Sequence, residues 1–301
     1  MRFKRSSSGK PRSWKESALI KFAFLAPAII YLLIFMIFPT AFNAYCSFQR
    51  WYMGGGEPEF IGTLNYVLLF SDKRFYDSIL FTFSFVAVVV PLEIALGLIL
   101  ALALTKIRVG RRIIATLMLI PFVIPAIATG YMWKMLFHGT YGPITFLASM
   151  LGFKRVHILS TPGLSFWGIV TIDVWRWVPF LFLVFYAALS TLPVEPLEAA
   201  LVDGASAWQR FRYITLPLMT PTILVMLFLK TVEAFKVLDI IYIATGGGAR
   251  TESASLYIYR VGLKHFNVGL GAAMAWVFFV IVITLITVML LRFQKYIAVS
   301  G

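Results

Sequence analysis

Asp173 and Arg176 stand three residues apart in one apolar run of the chain, and Lys230, Glu233, Lys236 and Asp239 follow at steps of three in another. Such steps gather side chains on one face of a helix. The acids Asp173, Glu233 and Asp239 balance the bases Arg176, Lys230 and Lys236. An ionisable group near the centre of a bilayer costs at least about 2.5 to 3.5 kcal/mol, so it faces a bundle interior or a wet cavity. Two uses fit the pattern. The charges can neutralise one another as an internal network that holds neighbouring helices in register. They can instead line a path for a polar solute, since carboxylates accept and ammonium groups donate hydrogen bonds to hydroxyls, with Tyr242 adding a phenol. Intramembrane carboxylates also serve ion relays, which leaves a secondary transporter as an alternative. Glu93 lies two residues after Pro91 in a further apolar run; it either joins the path or caps the backbone that the proline frees.

No residue set for covalent chemistry accompanies these charges. The sequence contains neither a GxxxxGK[ST] phosphate loop nor a GxSxG nucleophile elbow, so it reads as no enzyme and as no binder of ATP through that cradle. Gly246-Gly247-Gly248 reads as a turn. His138, His157 and His265 are isolated, and Cys46 is the sole cysteine, which leaves no disulfide within the chain and no cysteine-based metal site. The net charge of +14 gathers at the amino-terminal tail and in short loops, where anionic headgroups attract Lys and Arg, and is not a nucleic-acid footprint.

The elements that position the charges follow from composition. At 60% hydrophobic and 13% charged residues over 301, the chain is all-α and polytopic, with apolar runs near 20–46, 78–104, 113–137, 165–190, 216–243 and 268–291. Lipid offers no hydrogen-bond partners, so six such spans must be helices. Domain organisation is then a basic tail at 1–19, a transmembrane domain at 20–291 and a second tail at 292–301. The first apolar run is too long for a signal peptide and reads as a retained anchor. Fifteen Lys and Arg residues fall on the side of both termini and eight on the other, which predicts cytoplasmic termini. Pro27, Pro91, Pro121, Pro125 and Pro179 predict kinks. Trp133, Trp175, Trp177 and Tyr141 read as interface-belt residues.

Between the fourth and fifth spans, loop 191–215 holds a polar island, Glu198 to Leu218. Pro196 suits a first helical position, and Leu197, Leu201, Ala205 and Trp208 form an apolar stripe that requires a partner. Gly204 interrupts that helix, as a break or a close approach. Glu198-Ala199-Ala200, Asp203-Gly204-Ala205, Ile214 and Leu216-Pro217 resemble the EAA signature of permease subunits in binding-protein-dependent ABC importers. Pro27 through Ser47-Phe48, Phe60-Ile61-Gly62 with Asn65-Tyr66, and Thr245-Gly246-Gly247-Gly248 are most similar to the sugar-importer branch. Ala249 departs from its usual proline and Thr145 from a frequent asparagine.

The resemblance implies a type I permease fold in which Glu198, Ala199, Ala200, Leu201, Asp203, Gly204, Ala205 and Trp208 dock on an ATPase. It further implies a second homologous permease, two ABC ATPase subunits that hold ATP and Mg, an extracytoplasmic solute-binding protein and a location in the cytoplasmic membrane amid lipid. No cofactor is expected in this chain, and nucleic acid is not a partner. Phe235-Lys236-Val237-Leu238-Asp239 resembles a path-lining Phe-Asn-x-Phe-Asp pattern. That places Glu233, Lys236, Asp239 and Tyr242, with Asp173, Arg176 and Glu93, as candidates for contact with a sugar or related solute moved by alternating access.

Overall fold

The computed structural model describes residues 14–297; the rest of the two expected tails, 1–13 and 298–301, lies outside the described residues. Helix α1 (Trp14–Leu32) passes through a π turn, Leu33–Ile37, into α2 (Phe38–Cys46). A two-stranded antiparallel hairpin, β1 (Gln49–Arg50) and β2 (Glu59–Phe60), leads to α3 (Leu64–Phe70) and the long α4 (Lys73–Thr105). Helices α5 (Arg111–Met118), α6 (Ile120–Val123), α7 (Ala126–Leu136) and α8 (Pro143–Met150) precede α9 (Leu164–Ser190). The chain ends with α10 (Glu195–Val202), α11 (Ala207–Arg210), α12 (Leu216–Phe235), α13 (Asp239–Ala244), α14 (Ala254–Tyr259) and α15 (Val268–Ile297).

Five helical stretches among the described residues are long and apolar enough to cross a membrane, and a sixth is a pair, Arg111–Val123 with Ala126–Leu136, bent by 93°. The all-α membrane class holds, with six spans if the bent pair is one, but the third span bends far more than a proline kink and the fifth is interrupted where no break was expected. The third turns at Ile124-Pro125. Proline pushes the residue before it out of the α region, and Ile124 is extended with ψ 129°. The fifth, expected unbroken over 216–243, stops at Phe235 and restarts at Asp239. Pro91 and Pro179, by contrast, stay within continuous helices.

Helices α4 and α9 run side by side in the same direction, Phe81 meeting Phe166 near their starts, and approach closely further on, where a Cβ on Gly97 would meet the Leu181 Cβ at 2.8 Å. Small residues at such contacts let membrane helices approach, because packing rather than hydrophobicity drives their association. Around this contact Ala101, Leu104, Leu181, Phe182, Phe185 and Met219 form one buried cluster. A second joins Phe85, Val89 and Ile169 to Phe235, Ile241 and Leu256, which ties the broken fifth span to α4, α9 and α14. Gly130 repeats the device, as its missing Cβ would lie 3.0 Å from Ile243, so α7 rests against α13. The two broken spans therefore meet.

Candidate functional site

At the fifth-span break the backbone of Lys236, Val237 and Leu238 leaves the helical ladder, and a buried carbonyl without a partner is costly. The segment beginning α14 answers it. Ser253 Oγ donates to the Val237 carbonyl at 2.7 Å and Ser255 Oγ to that of Phe235 at 3.2 Å. On the far side, Lys134 Nζ donates to Ile243 O at 3.0 Å and steadies the end of α13.

A cavity of about 380 Å³ opens where the two spans break. Phe122 and Ala126 reach it from either side of the third-span bend, and Asp173, Arg176 and Trp177 from α9. Glu233, Lys236 and Asp239 line it from the fifth span. Five of the seven expected path residues thus converge. Irregular backbone at membrane depth is tolerated where it lines a cavity, which is the arrangement here.

Glu93 and Tyr242 do not line it. Tyr242 packs on Tyr259, with Lys264 Nζ 4.7 Å above its ring. Glu93 is fully buried and neither caps the backbone nor faces the path: its Oε2 lies 3.1 Å from Lys230 Nζ. The same ammonium donates to Asp173 Oδ2 at 2.7 Å. One cation therefore serves two carboxylates from α4 and α9, and all three groups are buried. Asp173 belongs to both arrangements, as one end of this triad and as part of the cavity wall.

Arg176 does not pair with Asp173, although the two share a helix face. Its guanidinium lies 5.5 Å from the Trp177 ring, and its Nε meets no acceptor among the described residues. Lys230 Nζ approaches the same indole to 4.4 Å. Trp177 is thus not the interface-belt residue expected but an aromatic partner of two cations. Its spacing of four from Asp173 could have signalled this, since i and i+4 share a face. Phe122, stacked on Phe180 and edge-on to Trp177, is the other aromatic wall that the sequence reading missed.

Lys236 donates to Glu233 Oε1 at 2.6 Å, but this pair is wet, with 61% and 36% of the side chains exposed. The cavity thus presents donors and acceptors of both signs beside flat apolar faces. Such a lining suits a ring bearing hydroxyls, which needs both.

At the other end of α9 the loop is a separate small unit. Helix α10 closes in a Schellman turn: the Ala205 N–H bonds to Ala200 O at 2.9 Å and the Gly204 N–H to Leu201 O at 3.1 Å. The turn needs a left-handed residue, and Gly204 has φ +76°. No atom would crowd a Cβ there, so the glycine marks a break and not a close approach within the chain. Ser206 and Gln209 then form a capping box that starts α11. Leu201, Val202 and Trp208 are exposed, Val202 to 89%, while Leu197 and Ala205 are half-buried. Glu198, Ala199 and Asp203 stay at the surface and Ala200 is half-buried.

Residues 93–298 match the family described as the binding-protein-dependent transport system inner membrane component. The trehalose/maltose transport system permease protein MalF of Thermococcus litoralis is 36% identical over 284 residues, 93% of this chain and 95% of its own. The trehalose transport system permease protein SugA of Mycobacterium tuberculosis is 34% identical over 262 residues, 86% of this chain and 84% of its own. The fold is shared with a chain in the crystal structure of a bacterial alginate ABC transporter in complex with an alginate pentasaccharide-bound periplasmic protein. That match has TM-score 0.84 at 24% identity and covers 95% of this chain and 99% of the other.

Proposed function

This chain belongs to the family of binding-protein-dependent transport system inner membrane components, and from that premise we propose that it is the permease of an ATP-driven importer for a neutral sugar or closely related polyol. The observation that carries the substrate class is the cavity at the two span breaks, where Asp173, Lys236 and Asp239 supply hydrogen bonds beside the faces of Phe122 and Trp177. Relatives named for trehalose and maltose support the same class. With Asp173 neutralised by Lys230 behind the wall, Glu233 and Asp239 balance Arg176 and Lys236, so the cavity favours neither an anion nor a cation.

Energy reaches the cavity from outside the chain. Helix α10 offers exposed Leu201 and Val202 to the groove of a cytoplasmic ATPase, and two such ATPases, loaded with ATP and Mg, drive the cycle. A second permease packs on the apolar groove of about 510 Å³ formed by α12, α14 and α15, where Val232, Phe279 and Ile283 are exposed. A solute-binding protein delivers the sugar from the opposite face of the cytoplasmic membrane, and the cycle is alternating access. Ion-coupled transport fits less well, because Glu93 and Asp173 are already engaged by Lys230. The test is to reconstitute the chain with its co-purifying subunits and screen trehalose, maltose, a polyol and a uronate for stimulation of ATP hydrolysis. Stimulation by the uronate alone would overturn the substrate class, and uptake by the isolated chain would overturn the whole reading.

A further inference from the structure

Lys73 and Arg250 carry charges that the fold does not use. Both are exposed, and neither forms an ion pair among the described residues. They stand at the mouth of a cavity of about 660 Å³, at the end of α4 away from the α10 loop. The end is fixed by contacts: Phe81 packs edge-on to Phe166 near the start of α9, while Gly97 meets Leu181 near its finish.

The mouth is a built structure. Arg74 clasps Glu252 with bonds of 2.6 and 3.0 Å and lies 4.9 Å over the Tyr257 ring. Arg260 also bonds to Glu252, and Tyr257 donates to Asp72 at 2.5 Å. Glu252 is therefore spent on two guanidinium groups and cannot neutralise Lys73 or Arg250. The loop that carries Arg250 is drawn in by Ser165 Oγ, which donates to Ala249 O at 3.1 Å. Three cations and two carboxylates, Asp77 and Glu252, line the cavity and leave a net charge of +1.

Below the mouth the lining turns apolar. Lys73, Asp77, Leu80 and Ser84 recur at steps of four, three and four, an exposed stripe on the face of α4 turned away from buried Glu93. Leu80, Phe166 and Ser84 continue the cavity along that stripe. Ser84 lies eleven residues past Lys73, on the order of 16 Å along a helix, of which roughly 9 Å falls within the apolar run that begins near 78, or about a third of the hydrocarbon core. A soluble protein reaches the mouth but not that depth. A lipid reaches both.

We propose that this groove binds one phospholipid of the leaflet opposite the α10 loop, its phosphodiester held between Lys73 and Arg250 and an acyl chain laid along Leu80, Phe166 and Ser84. The net charge of +1 suits a single phosphodiester. Asp77, one turn inside, repels any second anionic group.

The experiment uses the assembled transporter in nanodiscs of phosphatidylcholine with a fixed minor fraction of phosphatidylglycerol, followed by native mass spectrometry of the released complex. The wild type should retain phosphatidylglycerol above its share in the disc. The double variant Lys73→Gln, Arg250→Gln should lose that excess on the order of tenfold, with basal ATP hydrolysis and melting temperature unchanged. Ser84→Trp, which blocks the apolar end and leaves both cations, should lower retention as well. Inorganic phosphate should not displace the lipid; if it does, the groove is a simple anion site and the proposal fails. Unchanged lipid retention in both variants overturns it, and so does loss of affinity for the solute-binding protein in the double variant with lipid retention intact.

Discussion

Lys230 Nζ lies 2.7 Å from Asp173 Oδ2 across the interface of two spans, with Glu93 Oε2 on its other side at 3.1 Å. The chain thereby joins three helices through one ammonium group. That junction sits directly behind the wall of the cavity between the two broken spans, since Asp173 is part of both.

Removing the ammonium alone leaves two buried carboxylates facing each other. Breaking a buried ion pair by deleting one partner costs about 3 to 5 kcal/mol. Lys230→Met should therefore lower the melting temperature of the assembled complex sharply. The triple variant Lys230→Met, Glu93→Gln, Asp173→Asn should recover most of it. A single variant as stable as the wild type would show that the triad does not hold the spans together.

Lys236→Met should behave in the opposite manner. The Lys236 and Glu233 side chains are wet, and exposed pairs contribute roughly 0 to 1 kcal/mol. Stability should stay within that range, while the solute concentration for half-maximal ATPase stimulation rises, because a donor has left the cavity wall. The comparison needs thermal melts and ATPase titrations on the same preparation. Unaltered solute dependence removes Lys236 from the path.

At Gly204 a φ of +76° is demanded by the Schellman turn. Gly204→Val puts a β-branched residue in the left-handed region at a cost of roughly 1 to 2 kcal/mol and should redirect α10, abolishing uptake in a complex that still inserts. Gly204→Asn, which tolerates that region, should retain most uptake. Equal activity of the two variants would detach transport from the turn.

Single cysteines at Gly110 and Ser206, in a Cys46→Ser background, should label only from the cytoplasm, and those at Gly55, Gly152 and Gly247 only from outside. The measurement is protection from a membrane-impermeant maleimide in intact cells. Outside labelling at Ser206 would invert the proposed orientation.

The break at Gly204 was legible because a glycine interrupts an otherwise helical pattern. The fifth-span break was not, since Phe235-Lys236-Val237-Leu238-Asp239 contains neither glycine nor proline. The hydroxyls of Ser253 and Ser255 reach back to satisfy the freed carbonyls, and local periodicity carries no trace of such a contact. Pro125 announced a kink but not a bend of 93°. The charges were legible as a set and not as pairs. Spacing along α9 set Asp173 beside Arg176, whereas the register of α4, α9 and α12, fixed by close contacts such as Gly97 on Leu181, delivers Lys230 to Asp173 instead.

The serine clamp also predicts an order in biosynthesis. Ser253 is made sixteen residues after the Val237 carbonyl it serves, so while the ribosome is still short of that point the fifth span has every reason to remain one unbroken rod. The expected outcome is that the rod opens, and the cavity between the two broken spans forms, only once α14 has arrived. Nascent chains arrested with residue 255 still inside the ribosome and with it well clear, each carrying a cysteine at Asp239, which is exposed and lines the cavity, would date the event: shielding in the shorter chain giving way to exposure in the longer one is the expected sequence, and early exposure in both would mean that the break forms without its clamp.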